Sequence, residues 1–325
     1  APVMHWSSRH GRLFLFYAES TPNCLRAGKK GQPKRFSVGG NIFMTSADPP
    51  STSQSTIDWS EPHAILKQED GDKPIPKVVA NRMLELSSGE WILPFWRQRS
   101  YQVCDTKSPN SAGVLRSLDG GKTWHAYGDL LMPAPMAHWV IEGSAVELAE
   151  GSVLLVLRST EGFLFKSISL DKGVSWSEVV PTSVLNPDAK AHTVRLHAGL
   201  LDRLMLAYNN HDRPFHGMAK GRGSISGKRR DTLMLAVSKD GGESWDNVAR
   251  VDPPVNVTSH GEENPAANLM FHYPTMLQRN HSNSLLVAYS RTYYPDSSAV
   301  DPPHLDGIWL AELDLAVAAG LDIVP

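Results

Sequence analysis

Apolar positions in this chain recur in short runs broken by Gly, Pro, Asn and Asp, and helical periodicity is nearly absent. One unit repeats: an apolar strand, a Gly-containing turn, then a more strongly apolar strand. It runs from Val3 to Tyr17 around Gly11, Met83 to Phe95 around Gly89, Ala145 to Leu157 around Gly151, and Thr193 to Tyr208 around Gly199. A fifth copy spans Thr275 to Tyr289 around Asn280-His281-Ser282-Asn283. Such units are antiparallel hairpins. The second strands, Val153 to Leu157 and Leu285 to Tyr289 among them, are apolar at every position, as expected of strands covered on both faces. Only Leu313 to Gly320 has a helix-like composition.

A second pattern interleaves with the first, Ser-x-Asp-x-Gly-x-(Thr/Ser)-Trp. It occurs at Ser117 to Trp124, Ser169 to Trp176 and Ser238 to Trp245, with starts 169 − 117 = 52 and 238 − 169 = 69 residues apart. A decayed fourth copy begins at Ser46-Ala47-Asp48 and ends, after an insertion, at Asp58-Trp59-Ser60-Glu61, which parallels Trp176-Ser177-Glu178. The pattern has a mechanical meaning. Asp119, Asp171 and Asp240 can accept hydrogen bonds from amides of their own turn, and Gly adopts a backbone shape that strains other residues. Trp124, Trp176 and Trp245 are then expected to be substantially buried under their turns. The device locks a hairpin and is not catalytic.

Five hairpin units, most followed by a locked turn, imply an all-β chain of radially arranged blades, a β-propeller. The runs His216 to Arg230 and Ser46 to Thr56 read as long loops within blades, so a single domain over residues 1–325 is expected. Because Ala1 opens almost directly into a hairpin, either a first blade is missing or five units suffice. An incomplete ring or an unusually exposed blade edge is expected beside the residues around Ala1 and Leu310.

Charge and composition narrow the partners. Across 325 residues, 32 Lys+Arg against 34 Asp+Glu give a net charge of −2, which argues against a nucleic-acid or anionic-membrane binder. No apolar run approaches the roughly 20 residues of a membrane-spanning helix, and the N-terminal residues do not read as a signal peptide. Localisation therefore stays open, with a secreted or extracytoplasmic site compatible with the sequence, and a monomer is expected. Cys24 and Cys104 allow one bridge, and two buried thiols are the preferred reading. The 13 His show no metal-ligand spacing, so neither a metal nor another cofactor is expected.

The three locked turns resemble the Asp boxes of sialidases (neuraminidases) and related BNR-repeat proteins, and the resemblance covers nearly the whole chain. It implies the six-bladed sialidase type of propeller, with about five blades recognisable. Glu142-Gly143-Ser144-Ala145-Val146-Glu147-Leu148 followed by Val153 to Arg158 is similar to the sialidase blade in which a Glu opens one strand and an Arg ends the next. Arg229 to Ser238 resembles the strand carrying a later arginine, and His272-Tyr273-Pro274-Thr275 the strand presenting the nucleophilic tyrosine. Leu185-Asn186-Pro187, leading to Val194-Arg195-Leu196, is characteristic of the same group without a mechanistic role attached to it.

The resemblance implies an exo-glycosidase releasing terminal sialic acid or a related anionic sugar from a glycan or glycoconjugate. Tyr273 would attack, Glu142 would act as its base, and Arg158 and Arg230 would grip the sugar carboxylate. The residue types suit that chemistry. Guanidinium binds carboxylate bidentately at any working pH, and a neutral phenol avoids the repulsion an anionic nucleophile would meet. The Arg-Ile-Pro segment that commonly carries the family's first arginine does not occur in this sequence, and the resemblance does not identify the acid/base Asp. Arg82 is a candidate substitute arginine, with a surface role the favoured alternative. His211-Asp212 reads equally as a general-acid pair or as loop polarity. The other residues have structural alternatives: a strand-capping Glu142, a snorkelling Arg158, a solvated Lys228-Arg229-Arg230 run, and a core Tyr273. Two rival functions remain: a non-catalytic carbohydrate-binding propeller, and a polysaccharide lyase or uronic-acid-specific enzyme on the same fold.

Overall fold

The computed structural model describes residues 2–20, 25–26, 35–36, 39–50, 56–70, 75–99, 109–136, 139–197, 203–210, 230–252, 269–279, 283–293 and 307–315. Among them, every regular element of two or more residues is a strand. Eleven strands come first: β1 (Val3–Ser7), β2 (Arg12–Ser20), β3 (Leu25–Arg26), β4 (Arg35–Phe36), β5 (Gly40–Ala47), β6 (His63–Leu66), β7 (Lys77–Val79), β8 (Leu84–Glu85), β9 (Trp91–Arg97), β10 (Ser111–Ser117) and β11 (His125–Leu130). β3 pairs with β4. The other nine form one sheet in the order β1-β2-β5-β7-β9-β10-β11, with β6 on β5 and β8 on β9. Two hairpin units are visible within it, and β5 meets β7 through a single residue pair, Gly40 and Lys77. Pro94 has no N–H to donate. It falls where β9 changes partner, between Ile92, which faces β8, and Phe95, which faces β7.

Three further sheets follow. β12 (Val140–Glu147), β13 (Val153–Ser159), β14 (Phe163–Ser169) and β15 (Val180–Leu185) form one, in that order. β16 (His192–Arg195), β17 (Leu204–Asn209), β18 (Leu233–Ser238) and β19 (Asp246–Arg250) form the next. β20 (Leu269–Gln278), β21 (Ser284–Tyr293) and β22 (Gly307–Asp314) form the last. The five expected hairpins are thus β1-β2, β8-β9, β12-β13, β16-β17 and β20-β21. Leu313 and Asp314 end β22, and residues 316–320 of the helix-like stretch lie outside the described residues, as do Cys24, Cys104, His211, Asp212 and Arg229.

The chain divides into two compact units, residues 1–157 with 167–180, and residues 158–166 with 181–325. Each has its own core. In the first, Phe14, Phe16, Trp91, Leu93, Phe95 and Leu115 pack together, with Trp124 against them. In the second, Met205, Leu235, Phe271, Met276, Leu285 and Val287 do the same. β13 is buried at every position except Arg158, as its apolar run predicts. β21 behaves differently: Leu285, Val287 and Tyr289 are buried while Leu286 and Ala288 are only partly covered. Its neighbour β22 is the last strand of this sheet among the described residues, and it exposes Ile308 (87%) and Leu310 (65%).

The three locked turns share one wiring. In the first, the Ser117 hydroxyl donates to Asp119 Oδ1 (2.8 Å), the Thr123 amide donates to the same oxygen (2.9 Å), and the Thr123 hydroxyl donates to Oδ2 (2.6 Å). Asp171 and Asp240 repeat it through Ser175 and Ser244. These bonds favour the ionised carboxylate. The Thr123 hydroxyl and then its amide hold Asp119 at a pKa of about 2, and the Ser175 hydroxyl and amide do the same for Asp171. At Asp240, burial opposes this, and the Ser244 hydroxyl and amide with Ser238 overcome it, again to about 2. Trp124 and Trp176 seal their turns by donating to Gly121 and Gly173 carbonyls. All three Trp side chains are half-buried, and Trp124 also packs against Phe16 and Trp91.

The decayed fourth copy keeps the closing geometry. Thr45 Oγ1 donates to the Ser60 carbonyl (2.6 Å) and the Ser46 amide to Ser60 Oγ (3.1 Å). Ser167 and Ile168 make the same two bonds to Ser177, at 2.7 and 3.0 Å.

Candidate active site

Among the described residues, four other than glycine have a left-handed backbone: Glu142 (φ 52°), Lys172 (φ 60°), Asp188 (φ 56°) and Tyr273 (φ 53°). Outside glycine this conformation is uncommon, and it gathers at functional positions. Lys172 has a local explanation. It occupies the locked-turn position that is Gly120 and Gly241 in the other copies, and its ammonium pairs with Glu90 at 2.9 Å.

In the first unit, Glu142 lies near the start of β12 and is 6% exposed. The buried Asn81 donates its amide to the Glu142 carbonyl at 2.8 Å. Gly143 follows for a steric reason, since a Cβ there would come within 2.8 Å of Leu155 Cδ1. Arg82, beside Asn81, is half-buried rather than a surface arginine, and burial lowers its pKa below the usual value.

The second unit holds the other three. Tyr273 sits in a β-bulge of β20: His272 faces Ser290 and Thr275 faces Ala288, so three steps on β20 match two on β21. The extra residue turns the strand and aims a side chain outward, and Tyr273 is 45% exposed. Arg158 and Arg230 are brought together by Asp188. Arg158 Nε donates to the Asp188 carboxylate at 2.8 Å, and an Arg230 terminal nitrogen donates to the Asp188 main-chain carbonyl at 2.6 Å.

The other terminal nitrogen of Arg230 contacts His272 Nδ1 at 2.9 Å. A guanidinium only donates, so Nδ1 accepts and the imidazole proton sits on Nε2. Burial, reinforced by Arg230 and Arg158, lowers the His272 pKa to about 4 and keeps the ring neutral near pH 7. The buried Lys190 adds a further cation, donating to the Pro274 carbonyl at 2.8 Å. Arg158, Arg230 and Lys190 against Asp188 give this cluster a formal excess of 3 − 1 = 2 positive charges, which suits an anionic ligand.

Sequence reasoning named Arg158, Arg230 and Tyr273 but missed Asp188, Lys190 and His272. The Asn186-Pro187 motif was the available signal. Asn186 Oδ1 accepts the Ala189 amide at 2.8 Å, forming the tight turn that carries Asp188. Among the described residues, no group of three or more His, Cys, Asp or Glu is placed to hold a metal ion.

The family described as BNR repeat-like domain matches residues 1–286. The chain belongs to the BNR repeat-like family. Solved structures similar to this BNR repeat-like chain include sialidases and trans-sialidases. A Hadza microbial sialidase superposes with a TM-score of 0.61 at 17% identity, covering 89% of this chain and 49% of its own. Trypanosoma rangeli sialidase in complex with sialic acid gives 0.61 at 14% identity, covering 98% and 45%. A leech intramolecular trans-sialidase complexed with 2,7-anhydro-Neu5Ac gives 0.61 at 12%, covering 99% and 57%. The fold is therefore that of the sialidase β-propellers, and this BNR repeat-like chain spans about half the length of these three sialidase structures. No curated protein matches.

Proposed function

We propose that this chain is a sialidase-type exo-glycosidase acting on a terminal sialic acid or a related anionic sugar. Tyr273 Oη attacks the anomeric carbon as the bond to the leaving oxygen breaks, and Glu142 takes the phenol proton. Water then displaces the tyrosine oxygen and releases the sugar. Arg158 and Arg230 hold the sugar carboxylate. The proton for the leaving oxygen comes from an acid that these four residues do not supply.

One observation carries the reading: both residues assigned to the chemistry, Glu142 and Tyr273, stand on left-handed backbone, and the bulge extrudes Tyr273 from an otherwise regular strand. A core tyrosine needs neither feature. The cationic surroundings of Arg158 and Arg230 add support. Binding without turnover is the second reading, favoured by Arg158 already pairing with Asp188. A fluorogenic sialoside separates the two. Turnover that Tyr273→Phe abolishes while leaving ligand binding in place supports the hydrolase. Binding without turnover in the unaltered protein supports the second reading. Arg158→Ala weakens acidic sugars in preference to neutral glycosides, which have no carboxylate to lose.

A further inference from the structure

A side chain on disfavoured backbone stays there only if its surroundings hold it. The bulge in β20 takes the Pro274 carbonyl out of the regular ladder, and Lys190 Nζ donates to that carbonyl at 2.8 Å. Just beyond the bulge, the Met276 amide donates to His192 Nδ1 at 3.0 Å. Both partners come from the three-residue stretch 190–192, and both are 3% exposed. The bulge is therefore pinned immediately after Tyr273 and again two residues later by side chains that cannot swing into solvent. The same stretch begins two residues after Asp188, which joins the two arginines, so one short segment sets arginines and tyrosine together.

A main-chain carbonyl can be satisfied by any neutral N–H or O–H. A buried ammonium supplies that bond at high desolvation cost, and at the Pro274 carbonyl it falls directly beside the strained residue Tyr273. The first unit has a counterpart: Asn81, 2% exposed, donates to the carbonyl of the strained Glu142 itself.

We infer that Lys190 is a positioning residue for Tyr273, fixing the bulge that aims the phenol through its bond to the Pro274 carbonyl, and that Asn81 does the same for Glu142. The inference rests on the reading of Tyr273 and Glu142 as the reacting pair.

The test needs a readout independent of turnover. With 3-fluorotyrosine placed at position 273 of the full chain, the fluorine resonance reports the setting of that ring directly. Lys190→Met is expected to shift or split the resonance. It is also expected to lower kcat on a fluorogenic sialoside by about ten- to a hundredfold, with KM within about twofold, as misplacement of a reacting group does. Lys190→Arg keeps a long cationic donor and should recover much of both, and it replaces Lys190→Met as the decisive variant if that one does not fold. Asn81→Leu should show the same loss in kcat at near-constant KM. A folded Lys190→Met with the wild-type resonance and wild-type kcat overturns the inference. A wild-type protein without sialoside turnover overturns the hydrolase reading instead. The resonance then decides positioning alone: a shift in Lys190→Met upholds it, and an unchanged line overturns it.

Discussion

Substitutions at Asp188 separate three contributions that meet in one residue. Its carboxylate pairs with Arg158 at 2.8 Å, with side chains 9% and 12% exposed, and its backbone has φ 56°. Its carbonyl, which accepts from Arg230, survives any substitution. Removing one member of a buried ion pair costs about 3–5 kcal/mol, because the other charge loses its partner. Asp188→Gly incurs that loss but keeps the backbone at ease. Asp188→Ala adds left-handed strain of about 1–2 kcal/mol, partly offset by about 0.5–1 kcal/mol of chain entropy that Gly loses on folding. Ala should thus be worse than Gly by about 0.5–1 kcal/mol. Asp188→Asn keeps an acceptor for Arg158 and tolerates the left-handed region, so it loses only the charge-assisted part of one bond, about 1–2 kcal/mol.

The expected stability order is wild type, Asn, Gly, Ala. At about 2–4 °C per kcal/mol, a 3 kcal/mol loss lowers Tm by about 6–12 °C. Calorimetry and urea unfolding of the four proteins measure it. Gly and Ala variants within about 0.5 kcal/mol of wild type, the range of ordinary surface substitutions, would refute the ion-pair argument. An Asn variant as unstable as Ala would refute the separation of charge from geometry.

Asp119→Ala removes the acceptor of three turn bonds and should cost about 1–3 kcal/mol in thermal unfolding, with kcat and KM unchanged in the fraction that stays folded. Gly121→Ala places a Cβ 2.6 Å from Trp91 Cζ3 at φ 89°, so a loss of about 2–5 kcal/mol is expected from strain and overpacking together; wild-type Tm would contradict the turn geometry. Tyr273→Gly should be more stable than Tyr273→Ala by about 0.5–1 kcal/mol, since both lose the exposed ring and only Gly relieves the backbone; urea midpoints decide it. His272 and His5 both titrate near 4, burial being the main cause at each, with Arg230 and Arg82 next. Below the ordinary value of about 6.5, the unfolded chain takes up protons that the folded chain refuses. Stability should therefore be full above pH 6.5 and fall steadily toward pH 4, and His272→Gln should flatten part of that slope in Tm against pH.

What was legible in the sequence was what is local. A hairpin needs only its two strands and its turn, so all five units could be read from apolar runs and punctuation. The locked turns could be read too, even the decayed copy, because Ser60 performs the same two-bond closure as Ser177. The uneven cover of β21 was not legible: Leu286 and Ala288 are as apolar as Leu285 and Val287, and only the neighbouring sheet decides which face is buried. At the candidate site, Arg158, Arg230 and Tyr273 were readable as residue types at family positions. Asp188 was not. It lies 188 − 158 = 30 residues from one arginine and 230 − 188 = 42 from the other, and the Asn186-Pro187 motif marks its turn without marking Asp188 as their common partner.

The backbone itself ties the site to the rest of the fold. Where this chain needs a left-handed residue for shape alone it uses glycine, as at Gly120, Gly121, Gly241 and Gly242 in the locked turns. Glycine would also serve the shape at positions 142, 188 and 273. Keeping Glu, Asp and Tyr there costs of order 1–3 kcal/mol each, so those side chains must do something that a hydrogen atom cannot. Lys172 follows the same rule with a visible reason, its ion pair to Glu90. For Asp188 the reason is also visible, in the bond to Arg158. For Glu142 and Tyr273 the left-handed backbone is the observation from which their proposed roles in proton transfer and attack start.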